Sequence, residues 1–176
     1  LHDASKCAEA ETLLSHAEVR GVSSDAMVTT GQLESLRCFN ALAWAEAPKG
    51  LVDRLVLAQE TADPADFVVP FSHVQWLLTA GHRQEAEAKA AGLLAKLENP
   101  VRPEERAMRA RMFGIIGRRT DSIREWELLR EERPLEALTA LVELKEAEGD
   151  IKGALSDSTK LMELDSSRFV LRRHAT

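Results

Sequence analysis

The chain has 176 residues, of which 44% are hydrophobic and 30% charged, and its formal net charge is −6. This balance excludes a disordered or fibrous chain, and at this length folding buries roughly 70% of the surface that an unfolded chain exposes. The negative charge disfavours nucleic acid and anionic membrane surfaces as partners. No apolar run approaches the ~18–20 residues that span a bilayer.

The composition favours helices over strands. Alanine, leucine, glutamate and arginine are abundant and are good helix formers, whereas tyrosine is absent and aromatic residues make up only 5%. The chain begins at Leu1, and its first twenty residues are too polar for the apolar core of a signal peptide. We therefore expect either a fragment or a chain that has lost a leader, and a soluble, cytoplasmic protein rather than a secreted one.

Apolar residues recur every three or four positions along most of the chain, and glycine or proline closes each run. The pattern predicts an all-α protein of about seven to nine helices. The predicted helices span about residues 5–20, 32–47, 66–81, 82–97, 103–116, 121–130, 135–148 and 152–164, with a further apolar stripe at Leu51, Leu55 and Ala58. Pro70 fits only in the first turn of its helix. Residues 22–30 are predicted to form a loop, and a turn is expected at Ser166.

Glycines at the predicted turns indicate an internal repeat. Gly81, Gly117 and Gly149 lie 36 and 32 residues apart, which brackets the 34-residue period of tetratricopeptide repeats. Residues 135–166 match further parts of that family's pattern, namely Leu138 and Leu141 on the first helix, Asp150 at the turn, Ala154 at the helix crossing, and Leu164 and Asp165 at the exit. The chain from about residue 33 to 166 therefore resembles a tetratricopeptide-repeat array.

The resemblance implies a right-handed superhelical stack of antiparallel helix hairpins, whose concave surface is lined by the first helix of each hairpin. It places Ala86 and Ala154 where the two helices of a hairpin cross, with Ser122 at the equivalent position, and Pro134 on the family's terminal proline. Other α-solenoid repeats stay open. The expected organisation is a helix and loop over residues 1–31, left from a preceding repeat, a repeat array over residues 32–165, and a capping segment over residues 166–176.

The concave surface of the resembled fold supplies the candidate site. The partner-binding residues expected there are Arg37, Trp44, Phe71, Gln75, Arg111 and Glu143. Aromatic and arginine side chains are frequent anchors in peptide-binding grooves. The alternative is that Trp44 and Phe71 fill the core between hairpins.

The sequence contains no residue set that would carry a reaction, hold a metal ion or bind a cofactor. The five histidines are scattered, and no HExxH, GxSxG or glycine-rich phosphate loop occurs. His73 is interpreted as a satisfied core residue rather than a ligand. Residues 102–133 contain nine arginines among seven acidic residues, which indicates an exposed helix with ion pairs rather than a nucleic-acid site.

The expected function is a non-catalytic scaffold that binds a partner peptide or helix in the concave groove. One alternative is a secretion-type chaperone of similar fold, and a second is an accessory helical domain of a larger enzyme. Cys7 and Cys38 form no metal-binding spacing. They are interpreted as small buried hydrophobes, with a disulfide between them as the alternative in an oxidising compartment.

Overall fold

The computed structural model describes the backbone of residues 4–19 and 30–174 and the side chains of residues 6–16 and 32–164. Within those ranges the chain forms nine α-helices and no strand, which confirms the all-α class. The helices are α1 (Ala4–Val19), α2 (Thr30–Ala43), α3 (Lys49–Ala62), α4 (Val68–Thr79), α5 (Arg83–Lys96), α6 (Pro103–Ile115), α7 (Arg119–Leu128), α8 (Pro134–Glu148) and α9 (Ile151–His174). The chain divides into two compact units, Leu1–Lys89 and Ala90–Thr176.

Most helix bounds lie within two residues of the predicted ones, with α7 shifted by two residues at each end, and three differences need comment. α2 ends at Ala43, so Trp44 lies after the helix. α4 begins at Val68 instead of residue 66, because the carboxylate of Asp66 accepts hydrogen bonds from the N–H groups of Val68 and Val69. The turn expected at Ser166 is wrong, since α9 continues to His174 through a stretch without glycine or proline. The predicted loop over residues 22–30 and the cap at Gly21 lie outside the described residues, apart from Thr30, which already belongs to α2.

The three predicted glycine turns share one geometry. Gly81, Gly117 and Gly149 have φ values of +86°, +80° and +83°, a left-handed conformation that glycine adopts without steric cost. In each turn the residue after the glycine donates its N–H to a carbonyl in the last turn of the helix, as in the Schellman motif. The bonds are His82 to Leu77, Arg118 to Phe113 and Asp150 to Lys145, at 2.7, 2.8 and 2.9 Å. The glycine spacing read from the sequence therefore marks equivalent turns.

The residues expected at the helix crossings lie five positions after each glycine and are all buried, namely Ala86, Ser122 and Ala154. Ser122 fits in place of alanine because its hydroxyl donates to the carbonyl oxygen of Ala110 at 2.7 Å. Gly114 lies close to Ser122 on the facing helix, since a Cβ on Gly114 would be in ordinary van der Waals contact with the Ser122 Oγ, at 3.6 Å.

The first unit packs α1 against α2, α2 against α3 and α3 against α4, and α2 also contacts α4. The indole N–H of Trp76 donates to the backbone carbonyl of Trp44 at 2.9 Å, which brings the carboxyl-terminal ends of α2 and α4 together. Cys7 and Cys38 are both buried and free, and burial raises the pKa of the Cys38 thiol to about 11. Both cysteines therefore act as small buried hydrophobes and not as a disulfide pair.

The second unit packs α6 against α7, α7 against α8 and α8 against α9. Its core contains large residues of α7 and of the turn after it, Trp126 and Leu129, against small residues of α6 and α8. The buried members are Ala107, Ala110, Trp126, Leu129, Ala137 and Leu141, with Ile123, Ala140 and Leu144 partly buried at the edge. The alanines of α8 let it approach α7 closely.

Candidate functional site

Arg37 was expected on the binding groove, but the structure places it in the core of the first unit. Only 5% of the residue is exposed. Its guanidinium lies 2.5 Å from a carboxylate oxygen of Glu11 on α1 and donates to the hydroxyl of Ser15 at 3.2 Å. Because Arg37 is enclosed between α1 and α2, it is unsuited to contact a partner, and the expectation of an exposed arginine is wrong.

The two aromatic candidates also belong to the interior more than to a groove. Phe71 is buried in α4. Trp44 is half-buried in the turn after α2, and its carbonyl oxygen accepts the hydrogen bond from Trp76. The alternative interpretation, that these aromatic residues fill the space between hairpins, fits their positions better than the groove does.

The remaining three candidates are exposed, and each lies on a helix that ends at one of the three glycine turns. Gln75 lies on α4, Arg111 on α6 and Glu143 on α8, and they are spaced 36 and 32 residues apart, like the glycines. Counting 36 residues back from Gln75 gives Phe39 on α2, which is 48% exposed. Phe39 is therefore the position on α2 that corresponds to Gln75 in this spacing. It was missed because the α2–α3 hairpin turns at Pro48 without a glycine to set the register, but the 36-residue spacing would have found it.

The exposed face of the first unit is apolar on α2. Leu36 and Phe39 are 53% and 48% exposed, and the three-residue spacing puts them on one side of the helix. On the neighbouring α4, the equivalent side carries the exposed residues Val68 and Gln75. We call Leu36, Phe39, Val68 and Gln75 the α2–α4 surface. It offers apolar contact area with an amide at one edge.

The equivalent side of the second unit is charged. Arg111 on α6 contacts Glu136 on α8 at 2.5 Å, and Arg133 contacts both Glu104 and Glu136, at 2.6 and 2.9 Å. The hydrogen bond of Glu104 to its own backbone N–H and the bond from Arg133 lower the pKa of that carboxyl. Such pairs on a solvated surface contribute little to stability, and they engage Arg111, which was expected to bind a partner in the groove.

A recess of about 450 Å³ lies elsewhere in the second unit. Its lining includes Ala95 and Ile116 together with Phe113, whose ring centroid lies 5.4 Å from the Arg109 guanidinium and 4.6 Å from that of Arg118. Both guanidinium groups have other partners, since Arg109 donates to the carbonyl of Glu98 and Arg118 to the carboxylate of Asp121. Both arginines that line the recess are therefore engaged within the protein.

His73 lies in the interior of the first unit, as predicted, but it is not satisfied. Its Nε2 is 3.2 Å from Oδ1 of Asp53, yet neither ring nitrogen makes a hydrogen bond of good geometry. Burial and the charge of Lys89 lower the pKa of His73, against an opposite effect of Asp53. In the part of the chain that the structure describes, no three His, Cys, Asp or Glu residues are placed to hold a metal ion.

No protein-family model, curated protein or solved structure matches the chain. The function is therefore inferred from the chain's own surfaces. None of the helices in the described ranges combines the length and the apolar composition that crossing a membrane requires.

Proposed function

We propose that the chain is a non-catalytic protein-interaction module built from stacked helix hairpins of the tetratricopeptide-repeat kind, and that its α2–α4 surface binds an apolar segment of a partner protein. The observation that carries the proposal is the outward position of Leu36 and Phe39 on one side of α2, each about half exposed. Two large apolar side chains three residues apart are a common pattern where a helix contributes to a peptide-binding groove.

The hairpin architecture is supported by features that repeat within the chain. The three glycine turns have the same hydrogen bonds, and the three crossing residues are all small and buried. In the first unit, the contact between α2 and α4 joins the first helices of two successive hairpins. In the resembled family, first helices that contact one another in this way line a continuous surface.

The physical benefit of binding would come from removing the exposed apolar area from water. Fully burying a leucine or phenylalanine side chain stabilises a complex by roughly 1.5–3 kcal/mol, and both residues here begin about half exposed. The gain from Leu36, Phe39 and Val68 together is then roughly 2–4.5 kcal/mol. A micromolar complex needs about 8 kcal/mol, so the rest of the bound segment must supply further contacts. Gln75 would then select the orientation of the bound segment through its amide.

The test is a selection of displayed peptides, both helical and extended, on the wild-type chain, followed by titration of the enriched peptides. We expect the double variant Leu36→Ser and Phe39→Ser to weaken binding by about tenfold or more. The matched control is Leu57→Ser, because Leu57 is 64% exposed but lies on α3 of the same unit. If no peptide is enriched, or if all three proteins bind the peptides equally, the proposal is wrong.

Both variants replace exposed residues, so their thermal unfolding should stay close to that of the wild type. A circular dichroism melt of each protein checks this point. If the double variant loses helicity as well as binding, its loss of binding does not support the α2–α4 surface as the binding site. The milder variant Phe39→Ala, compared with its matched control Leu57→Ala, then tests the proposal.

A further inference from the structure

The recess of about 450 Å³ in the second unit has a mainly apolar lining. α5 contributes Leu94 and two small residues one turn apart, Ala91 and Ala95. α6 and the turn after it contribute the buried residue Phe113 and the side chain of Ile116. The volume lies within the range of about 300–1,000 Å³ that is usual for small-molecule sites. The space and its lining therefore suit the apolar part of a small molecule.

Two arginines line the same recess beside the phenylalanine ring. The guanidinium carbons of Arg109 and Arg118 lie 5.4 and 4.6 Å from the ring centroid of Phe113, within the range of a cation–π contact. Nη1 of Arg109 donates to the carbonyl of Glu98, while Nε and Nη2 of Arg118 contact Asp121. A guanidinium has five N–H donors. Within the described residues, Nη2 of Arg109 and Nη1 of Arg118 have no hydrogen-bond partner.

The charged groups around the recess do not balance one another, because each of two carboxylates is shared by two arginines. The pairs are Glu125 with Arg106 and Arg109, at 3.4 and 3.5 Å, and Asp121 with Arg118 and Arg124, at 2.6 and 3.5 Å. Glu98 at the recess adds a third carboxylate, so four arginines face three negative charges. This set thus keeps one positive charge in excess within a chain of net charge −6, and a monovalent anion would balance it.

We propose that the recess binds a small apolar carboxylic acid in its ionised form. Its tail lies against Phe113, Ile116 and the alanines of α5, and its carboxylate accepts hydrogen bonds from Arg109 and Arg118. The planar guanidinium matches a carboxylate, because two parallel hydrogen bonds form between them. A phosphate monoester is a poorer ligand, since it carries a charge of roughly −1.5 to −2 at neutral pH and the recess has one positive charge in excess.

The first test is a calorimetric titration of the full chain with octanoate. We expect saturable binding with a dissociation constant below about 1 mM. Octan-1-ol has the same chain length without the charge and should bind at least about tenfold more weakly. Raising the salt concentration should weaken the binding of octanoate, because the arginines at the recess are partly open to solvent.

A pair of arginine variants tests the charged part of the site. Arg118→Gln should weaken octanoate binding by about tenfold, because it removes one of the two cations at the recess. The matched control is Arg124→Gln. Arg124 contacts the same carboxylate of Asp121 but does not line the recess, so its loss should leave the affinity for octanoate unchanged.

A second pair of variants tests the space and leaves every charge in place. Ala95→Phe puts a ring into the recess and should weaken octanoate binding by about tenfold or more. Ala88→Phe is the control, because Ala88 is also exposed and lies two turns earlier on the same side of α5. Circular dichroism melts check that all four variants fold. If Arg118→Gln does not fold, the comparison of Ala95→Phe with Ala88→Phe decides.

The proposal is wrong if octanoate does not bind saturably, if octan-1-ol binds equally well, or if a folded Arg118→Gln or Ala95→Phe variant binds octanoate like its control. A peptide that ends in leucine with a free carboxylate is the last comparison. If it binds tenfold more tightly than octanoate and amidation abolishes this, the occupant is a chain end and not a small acid. Leu36→Ser with Phe39→Ser should not change octanoate binding, so the test is independent of the function proposed above.

Discussion

The Arg37 guanidinium and the Glu11 carboxylate form an ion pair at 2.5 Å across the contact between α2 and α1, where 5% of Arg37 is exposed. The second carboxylate oxygen of Glu11 is enclosed without a hydrogen-bond partner. Arg37 is thus the group that compensates a largely buried negative charge. Arg37 was expected to bind a partner, but in the folded protein it joins α2 to α1.

Replacing Arg37 by alanine should lower the free energy of unfolding by about 3 kcal/mol, because removing one member of a buried pair leaves the other charge without compensation. Urea denaturation followed by circular dichroism measures the change. Arg54→Ala is the control, since Arg54 is exposed on α3 and such surface changes usually stay within about 0.5 kcal/mol. The double change Arg37→Met and Glu11→Leu should recover most of the loss, because apolar residues of similar volume often replace a buried pair at little cost. An Arg37→Ala variant as stable as the wild type would show that α1 separates from α2 without cost.

The features that depend on local spacing were predictable from the sequence. The helices and the turns at Gly81, Gly117 and Gly149 follow from the three-to-four residue period and from the conformational freedom of glycine. These signals act over a few neighbouring residues. The small crossing residues were implied by the resemblance to the repeat family. Gln75 and Glu143 each lie six residues before a glycine turn, and both are exposed, while their part in binding stays a prediction.

The features that depend on distant partners were not predictable. An arginine on an amphipathic helix has the pattern of a surface residue, and its burial follows only from Glu11, which lies 26 residues earlier on another helix. Phe39 was missed because the first hairpin turns at a proline. The unsatisfied state of His73 likewise depends on how Asp53 and Lys89 are placed around it.

Enlarging Ala154 to leucine should destabilise the second unit by about 1–3 kcal/mol, because the added methylene groups must fit where α8 and α9 cross. Ala154 is buried at this crossing, whereas Ser156 is exposed on the same helix. Ser156→Leu is therefore the matched control and should change stability little. Thermal and urea unfolding of both variants measure the difference. If Ala154→Leu and Ser156→Leu are equally stable, α8 and α9 can move apart at the crossing. Ala154 would then not be equivalent to Ala86 as a crossing residue.

Asp157 should be essential to the charge network between α7, α8 and α9. It is buried and accepts hydrogen bonds from Lys145 and Arg130, at 2.8 and 2.9 Å. Asp157→Asn should destabilise the protein by about 1–3 kcal/mol through the loss of two charge-assisted bonds. The cost stays moderate because both cations also contact Glu127. Urea unfolding measures it, with Ser158→Ala as a control on the same helix. A neutral result would show that Glu127 alone satisfies both cations.

Glu127 should contribute to the loss of stability in acid. Hydrogen bonds from Arg130, followed by those from Lys145, lower the pKa of Glu127 to about 2, despite an opposite effect of burial. A carboxyl with a lowered pKa in the folded state stabilises the protein above its ordinary pKa of 4.5 and loses this contribution as the pH falls through about 2. Glu127→Gln should therefore be less stable than the wild type at pH 6, and the difference should shrink between pH 4.5 and 2. A difference that does not change with pH over this interval would contradict the assignment.

His73 should cause a dependence of the same sign, but at a higher pH. Burial, together with the positive charge of Lys89, lowers the pKa of His73 below its ordinary value of 6.5, while Asp53 and Glu60 act in the other direction. The unfolded chain then binds a proton at this residue at a pH where the folded chain does not. By linkage, stability is full above pH 6.5 and falls as the pH decreases through and below that value.

The variant His73→Leu removes the titrating group and two enclosed nitrogens without partners. We expect it to be at least as stable as the wild type at pH 7, and to lose less stability between pH 7 and 5. His82→Gln is the control, because His82 is partly exposed and stacks on Trp76 with 6.1 Å between the ring centroids. Comparing the two variants tests whether the change of slope belongs to His73. A nuclear magnetic resonance titration of the His73 imidazole gives the direct measurement, and a midpoint at or above 6.5 would mean that Asp53 outweighs burial and that the contact at 3.2 Å is an ion pair.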